Sequence, residues 1–251
     1  MKRLTRLACL LLALLCCPMV SAEQLDDRTL LSFYDNTIFF GDSRLVAFRR
    51  YVSARQETDA TFLDKTILVA RDNMSLYGAS RNYASKDSLF YFRGRKMTLY
   101  NIAARYKPRK IFVLLGLNDA VAVHQEKALT WVKTLISEMR ETVPDTEVCF
   151  FSETPVTAKY EHRKNRSGFQ RQQDEYNRLL KQTCEENGAC YVEIAEALKG
   201  EDNLLNPDYS SDGICHFNEN GVIAWIGALE DYAQQQYDLG LWTPRKKGNL
   251  R

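Results

Sequence analysis

Five short apolar runs, each giving way to a polar loop and then to helical spacing, most constrain what this chain can fold into. They fall at 37–40, 66–70, 110–115, 147–151 and 190–194, and the run Lys-Ile-Phe-Val-Leu-Leu at 110–115 is the clearest. Runs this short and this apolar read as buried strands. Between them apolar residues recur every three or four positions: Leu45, Val46, Phe48 and Val52 within 44–55, and Leu129, Val132, Leu135, Ile136 and Met139 within 125–141. Further helices are predicted over 169–186 and 219–237, and a short polar helical stretch precedes the first strand. Strands alternating with helices predict an α/β chain whose parallel sheet is covered on both faces. Sites in such sheets gather beyond the carboxyl ends of the strands, and there this chain places its polar motifs.

Three of those motifs hold the groups that acyl transfer needs: a nucleophile, an oriented base and donors for an oxyanion. Gly41-Asp42-Ser43 follows the first strand, where a turn into a helix would expose the serine hydroxyl. A helix cap by Asp42 or Ser43 would explain the same residues. Gly116-Leu117-Asn118-Asp119 ends the clearest strand. Asn118 offers an amide donor that does not titrate, although Gly, Asn and Asp are also plain turn residues. Of the three histidines, His124 and His162 read as surface residues. His216 follows Asp212 by four positions, and a carboxylate on one ring nitrogen would leave the other to take a serine proton.

Phe40-Gly41-Asp42-Ser43, Gly116-Leu117-Asn118-Asp119 and Ser211-Asp212-Gly213 with His216 closely resemble three sequence blocks of the SGNH (GDSL-like) hydrolase family, in the family's order. The resemblance implies a three-layer α/β/α sandwich with a flavodoxin-like, five-stranded parallel sheet. It also implies cofactor-free ester hydrolysis through an acyl-enzyme. Carried over, Ser43 is the nucleophile and an oxyanion donor through its N–H, Asn118 is a side-chain donor, His216 is the base and Asp212 orients it. The Gly-x-Ser-x-Gly signature of α/β-hydrolases is absent, because Leu45 stands where its second glycine should be. Two departures stand out. The family places three steps between its Asp and His, whereas this chain has four, as if Cys215 were inserted. The block II glycine, another N–H donor, has no clean match. Asn73 aligns there and tolerates a left-handed backbone, with Gly78 as the fallback.

The first 22 residues carry a basic start, a short apolar run and Val20-Ser21-Ala22, the parts of a cleavable signal peptide. The run is short for a membrane span, and Leu15 before Cys16 is bulky for lipoprotein processing. The expectation is a signal peptide at 1–22, then one hydrolase-like domain at 23–251, exported to the periplasm, cell surface or medium. Loss of the leader leaves 31 basic against 32 acidic residues, a formal charge of −1 that gives no reason to expect a nucleic-acid partner. The basic runs at 163–166 and 245–247 read as solvated loop and tail. Four cysteines remain, and Cys184 with Cys190, flanking Asn187-Gly188, are the first candidates for a disulfide, against buried free thiols. No zinc-site spacing occurs, so a metal enzyme is not expected. The expected substrate is an ester, foremost acetyl on carbohydrate. The alternatives are a lipid or lysophospholipid, for which Phe90, Tyr91 and Phe92 would line an acyl groove, and a binding module that keeps the fold without the chemistry; the three aromatics read first as packed into the core or against a neighbouring helix.

Overall fold

The computed structural model describes residues 23–120, 124–163 and 166–245. A short helix α1 (Asp27–Leu31) and one 3-10 turn lead into β1 (Thr37–Gly41) and α2 (Ser43–Gln56). β2 (Thr66–Ala70) is followed by a one-turn helix α3 (Leu76–Ala79), a hairpin of β3 (Phe90–Phe92) and β4 (Arg95–Met97), and α4 (Leu99–Tyr106). β5 (Lys110–Leu114) gives way to the short α5 (Leu117–Ala120) and the long α6 (Gln125–Thr142). β6 (Glu147–Phe151), α7 (Ala158–Glu161), α8 (Phe169–Glu186), β7 (Cys190–Val192) and α9 (Glu219–Asp238) complete the chain. The long helices and the strands fall within about two residues of the sequence expectation. The hairpin was not expected.

β2, β1, β5, β6 and β7 lie side by side, in that order, as one parallel sheet. Pleating sends alternate residues to opposite faces. Ile38, Phe40, Ile111, Val113, Val148 and Phe150 therefore enter one core, covered by α4, α6 and α8 through residues such as Ile102, Val132 and Leu180. Phe39, Phe112, Leu114, Cys149 and Phe151 enter the other, covered by α1, α2 and α9 through Leu31, Phe48 and Trp225. The result is the expected α/β/α sandwich with a flavodoxin-like strand order. The chain steps to one side of β1 to form β2 and to the other side to form β5. The crevice beyond β1 and β5 is thus the switch point at which such sheets hold ligands.

One expectation is corrected here. The cysteines of the described residues are free. Cys190 does not face Cys184: it is the register partner of Cys149 across β6 and β7 and packs against the second core, whereas Cys184 sits in the first. The turn at Asn187-Gly188 reverses the chain but leaves the two thiols in different cores. Phe90 and Phe92 of the aromatic run pack into the protein, as first read, rather than lining a groove. Phe90 is buried against Phe40 with ring centres 4.5 Å apart, Phe92 packs edge-on against Tyr106, and Tyr91 points to solvent at 76% exposure. The predicted leader lies outside the described residues, as do parts of both basic runs. No described helix is long and apolar enough to cross a membrane.

Candidate active site

Asp42 and Ser43 divide the two duties that the sequence left open. Asp42 is the N-cap of α2, its carboxylate accepting the Arg44 N–H at 3.0 Å. Ser43 is the first helical residue, and its hydroxyl lies 2.9 Å from His216 Nε2. On the far side of the ring, Nδ1 lies 2.6 Å from Asp212 Oδ2. A proton held on Nδ1 and donated to Asp212 leaves Nε2 to accept from Ser43.

The extra residue between Asp212 and His216 is absorbed without breaking that contact. Gly213 turns through a φ of +67°, which a side chain would resist. The chain then wraps around Asp212, whose Oδ1 accepts the N–H groups of Ile214, Cys215 and His216 at 2.7, 3.1 and 3.3 Å. Partial burial pushes the Asp212 carboxyl up, but the His216 contact and these amides outweigh it and hold the group at about 2. Asp212 is therefore ionised across the neutral range. The Cys215 side chain joins a small apolar cluster of Leu117, Val156, Tyr160 and Phe169, and burial pushes its thiol up to about 11.

Asn73 and Asn118 come from the loops after β2 and β5. Asn73 adopts the left-handed conformation expected of it, with φ at 56°. Asn118 donates one amide hydrogen to the Met74 carbonyl at 2.8 Å, which ties its side chain to the residue after Asn73 and leaves a second N–H on the same nitrogen. Asp119 strengthens this tie by accepting the N–H groups of Leu76 at 2.6 Å and Tyr77 at 3.2 Å. The fallback residue Gly78 already donates its N–H to Ser75 Oγ at 3.0 Å, so it has no donor to spare for an oxyanion.

Sequence reasoning missed a buried ionic bridge beneath Ser43. Arg44 donates to Asp42 on one side and to Glu153, just past β6, on the other, both at 2.7 Å, and all three are essentially without solvent exposure. Burial lowers the guanidinium's proton affinity, but the two carboxylates more than reverse this. Burial pushes Glu153 up despite its partner. Nothing local signals the pair, because 109 residues separate Arg44 from Glu153. Two described groups bring metal-ligand atoms within 4.8 Å of one another, Asp212-Cys215-His216 and Glu147-Cys149-Cys190. In the first, Asp212 and Nδ1 already engage each other; in the second, Glu147 is paired with Lys110 and with the Cys190 thiol.

A serine, histidine and aspartate joined by hydrogen bonds at the carboxyl ends of parallel strands can carry out acyl transfer, which defines the class as serine hydrolase. A sequence profile described as the GDSL-like lipase/acylhydrolase family matches residues 39–222, and the chain belongs to that family of esterases and acylhydrolases. No curated protein matches the chain. Among solved structures it is similar to a GDSL-like lipase from Bacteroides thetaiotaomicron, with 13% identity, a TM-score of 0.57 and coverage of 85% of this chain and 92% of that one. It is also similar to the acetyl xylan esterase AlAXEase, with 18% identity, a TM-score of 0.54 and coverage of 78% and 98%. A third similar structure is a carbohydrate esterase family 3 protein from Talaromyces cellulolyticus, with 15% identity, a TM-score of 0.54 and coverage of 80% and 97%. At these identities the likeness extends to the fold.

Proposed function

We propose that the protein is an exported serine esterase that removes short acyl groups, foremost acetyl, from carbohydrate, with Ser43, His216 and Asp212 as its catalytic residues. The observation that carries the mechanism is the unbroken chain of contacts from Ser43 Oγ to His216 at 2.9 Å and from His216 to Asp212 at 2.6 Å. Ser43 Oγ bonds to the ester carbonyl carbon while its proton passes to His216 Nε2. The negative charge on the carbonyl oxygen is met by the N–H groups of Ser43 and Asn73 and by the Asn118 amide. Collapse breaks the bond to the leaving alkoxide, which takes the proton from His216, and the acyl group stays on Ser43. Water then attacks the acyl-enzyme, gives its proton to His216, and releases the acid as that proton returns to Ser43.

The acetyl-carbohydrate reading is supported by two fold relatives whose names refer to acetyl xylan and to carbohydrate esters. The packing of Phe90 and Phe92 into the protein removes the feature that favoured a lipid. Export is supported by the basic, apolar and small-residue order of 1–22, and N-terminal sequencing of secreted protein should begin at Glu23. Incubation with partially acetylated oligosaccharides should release acetate, and Ser43→Ala should reduce the rate by about 10⁴-fold or more. Hydrolysis of p-nitrophenyl acetate with no acetate from any glycan would contradict the carbohydrate reading alone.

A further inference from the structure

The loop that carries Asp212 and His216 is one residue longer than the family's spacing, and each added residue brings two backbone dihedrals that must be fixed before the pair can meet. The loop closes at its base, where Ser211 donates its N–H to the His216 carbonyl at 2.9 Å. The N–H groups after Asp212 are spent inside it, that of Gly213 on Ser210 Oγ at 2.9 Å and the next three on Asp212 Oδ1. The carbonyls of Gly213 and Ile214 face the other way and take their donors from another part of the chain.

Thr157 supplies both donors. Its hydroxyl donates to the Gly213 carbonyl at 2.6 Å, and its N–H donates to the Ile214 carbonyl at 2.9 Å. The same hydroxyl caps α7 by accepting the Tyr160 N–H at 3.4 Å, so its one hydrogen is left for Gly213. Thr157 is 4% exposed, which gives water little access to compete. Its own position is fixed through Val156, whose N–H donates to Gln170 Oε1 and whose carbonyl accepts the Leu205 N–H, both at 2.9 Å. The Val156 side chain packs in the apolar cluster that takes up Cys215, the residue by which the loop exceeds the family's spacing.

Peptide planarity carries this hold to the catalytic carboxylate. The Gly213 carbonyl and the Ile214 N–H belong to one rigid peptide group, and the Ile214 carbonyl and the Cys215 N–H to the next. Each group is gripped on its outer side by Thr157 and on its inner side by Asp212 Oδ1. Two stiff links therefore connect Thr157 to the side chain whose other oxygen meets His216 Nδ1. We propose that Thr157 is a positioning residue for hydrolysis at Ser43, holding the lengthened loop so that Asp212 stays against His216 and His216 stays aimed at Ser43; this rests on the serine-esterase reading above and on no particular acyl group or alcohol.

The test compares wild type with three variants on p-nitrophenyl acetate, reading kcat, KM and the thermal midpoint. Thr157→Val keeps the size and removes the hydroxyl, and Thr157→Ser restores it. Thr98→Val is the control for a purely structural role: it removes a similarly buried capping hydroxyl from α4, where Thr98 bonds to Asn101. Positioning predicts that Thr157→Val lowers kcat roughly tenfold with KM near the wild-type value, that Thr157→Ser recovers most of it, and that Thr98→Val keeps the wild-type kcat. Should Thr157→Val not fold, Thr157→Ala reads the same loss. A wild type whose hydrolysis disappears in Ser43→Ala, beside a folded Thr157→Val with unchanged kcat or a Thr98→Val that loses as much, would overturn the role of Thr157 and spare the esterase reading. A folded wild type with no hydrolysis that depends on Ser43 would overturn both.

Discussion

Asn73, which aligns with the block II glycine, adopts a backbone angle that glycine also favours. Its φ of 56° lies where glycine is at ease, where asparagine is the best-tolerated substitute, and where a β-branched side chain is strained. If its N–H serves the oxyanion, the side chain is dispensable and the conformation is not. Asn73→Gly should keep kcat/KM on p-nitrophenyl acetate near the wild-type value, whereas Asn73→Val should lower it by up to about 10²-fold. Equal loss in both would assign the work to the Asn73 side chain. The same scale explains what the sequence made legible. Ser43 and Asn118 were readable because each sits in a short motif just past a strand, and Asp212 and His216 because they stand four residues apart in one short motif before the last helix. The extra residue before His216 looked damaging because spacing alone does not reveal that Asp212 gathers three successive amides. The burial of Arg44 left no mark in the sequence, because it depends on Glu153, far away in sequence.

At the scale of elements, the ends of β1, β2, β5 and β6 are bound to one another beneath the site. Asp119 after β5 holds the loop after β2, and Arg44 at the start of α2 holds Glu153 after β6. Removing one member of a buried charge group leaves the others unpaired in a low-dielectric interior. Arg44→Leu should therefore cost about 3–5 kcal/mol, read as a lower urea midpoint. A loss under about 1 kcal/mol would show that water reaches Asp42 and Glu153. The strands of the main sheet were legible because buried parallel strands are continuous apolar runs. The β3–β4 hairpin was not, since its strands have three residues each and Tyr91 faces solvent, leaving no period to read.

Across the whole molecule, the first and last described helices close over the second core. Gln234 on α9 accepts the Leu25 N–H at 3.1 Å, and Tyr237 donates to Glu23 at 2.9 Å. The same junction carries an electrostatic cost. Partial burial, then Asp27 and Asp231, push the Glu230 carboxyl from 4.5 up to about 7. The folded chain thus holds this proton more tightly than the unfolded chain, and stability falls as pH rises from about 4.5 to about 7. Glu230→Gln should raise the thermal midpoint relative to wild type at pH 8 and leave it nearly unchanged at pH 4. Matching midpoints at both pH values would mean that Glu230 is better solvated than its surroundings indicate. The fold class was legible at this scale from the alternation of strands and helices, whereas the positions of the cysteines relative to the sheet were not. Cys184 and Cys190 are close in sequence yet belong to separate cores.

The proposed chemistry stands or falls with Ser43 as a nucleophile activated by His216. Reaction of the folded protein with a fluorophosphonate, followed by peptide mass spectrometry, tests it most directly. An activated Ser43 should give one adduct per chain, on Ser43, absent in Ser43→Ala and far slower to form in His216→Ala. A folded wild type that forms no adduct, or forms it on another serine, would contradict it.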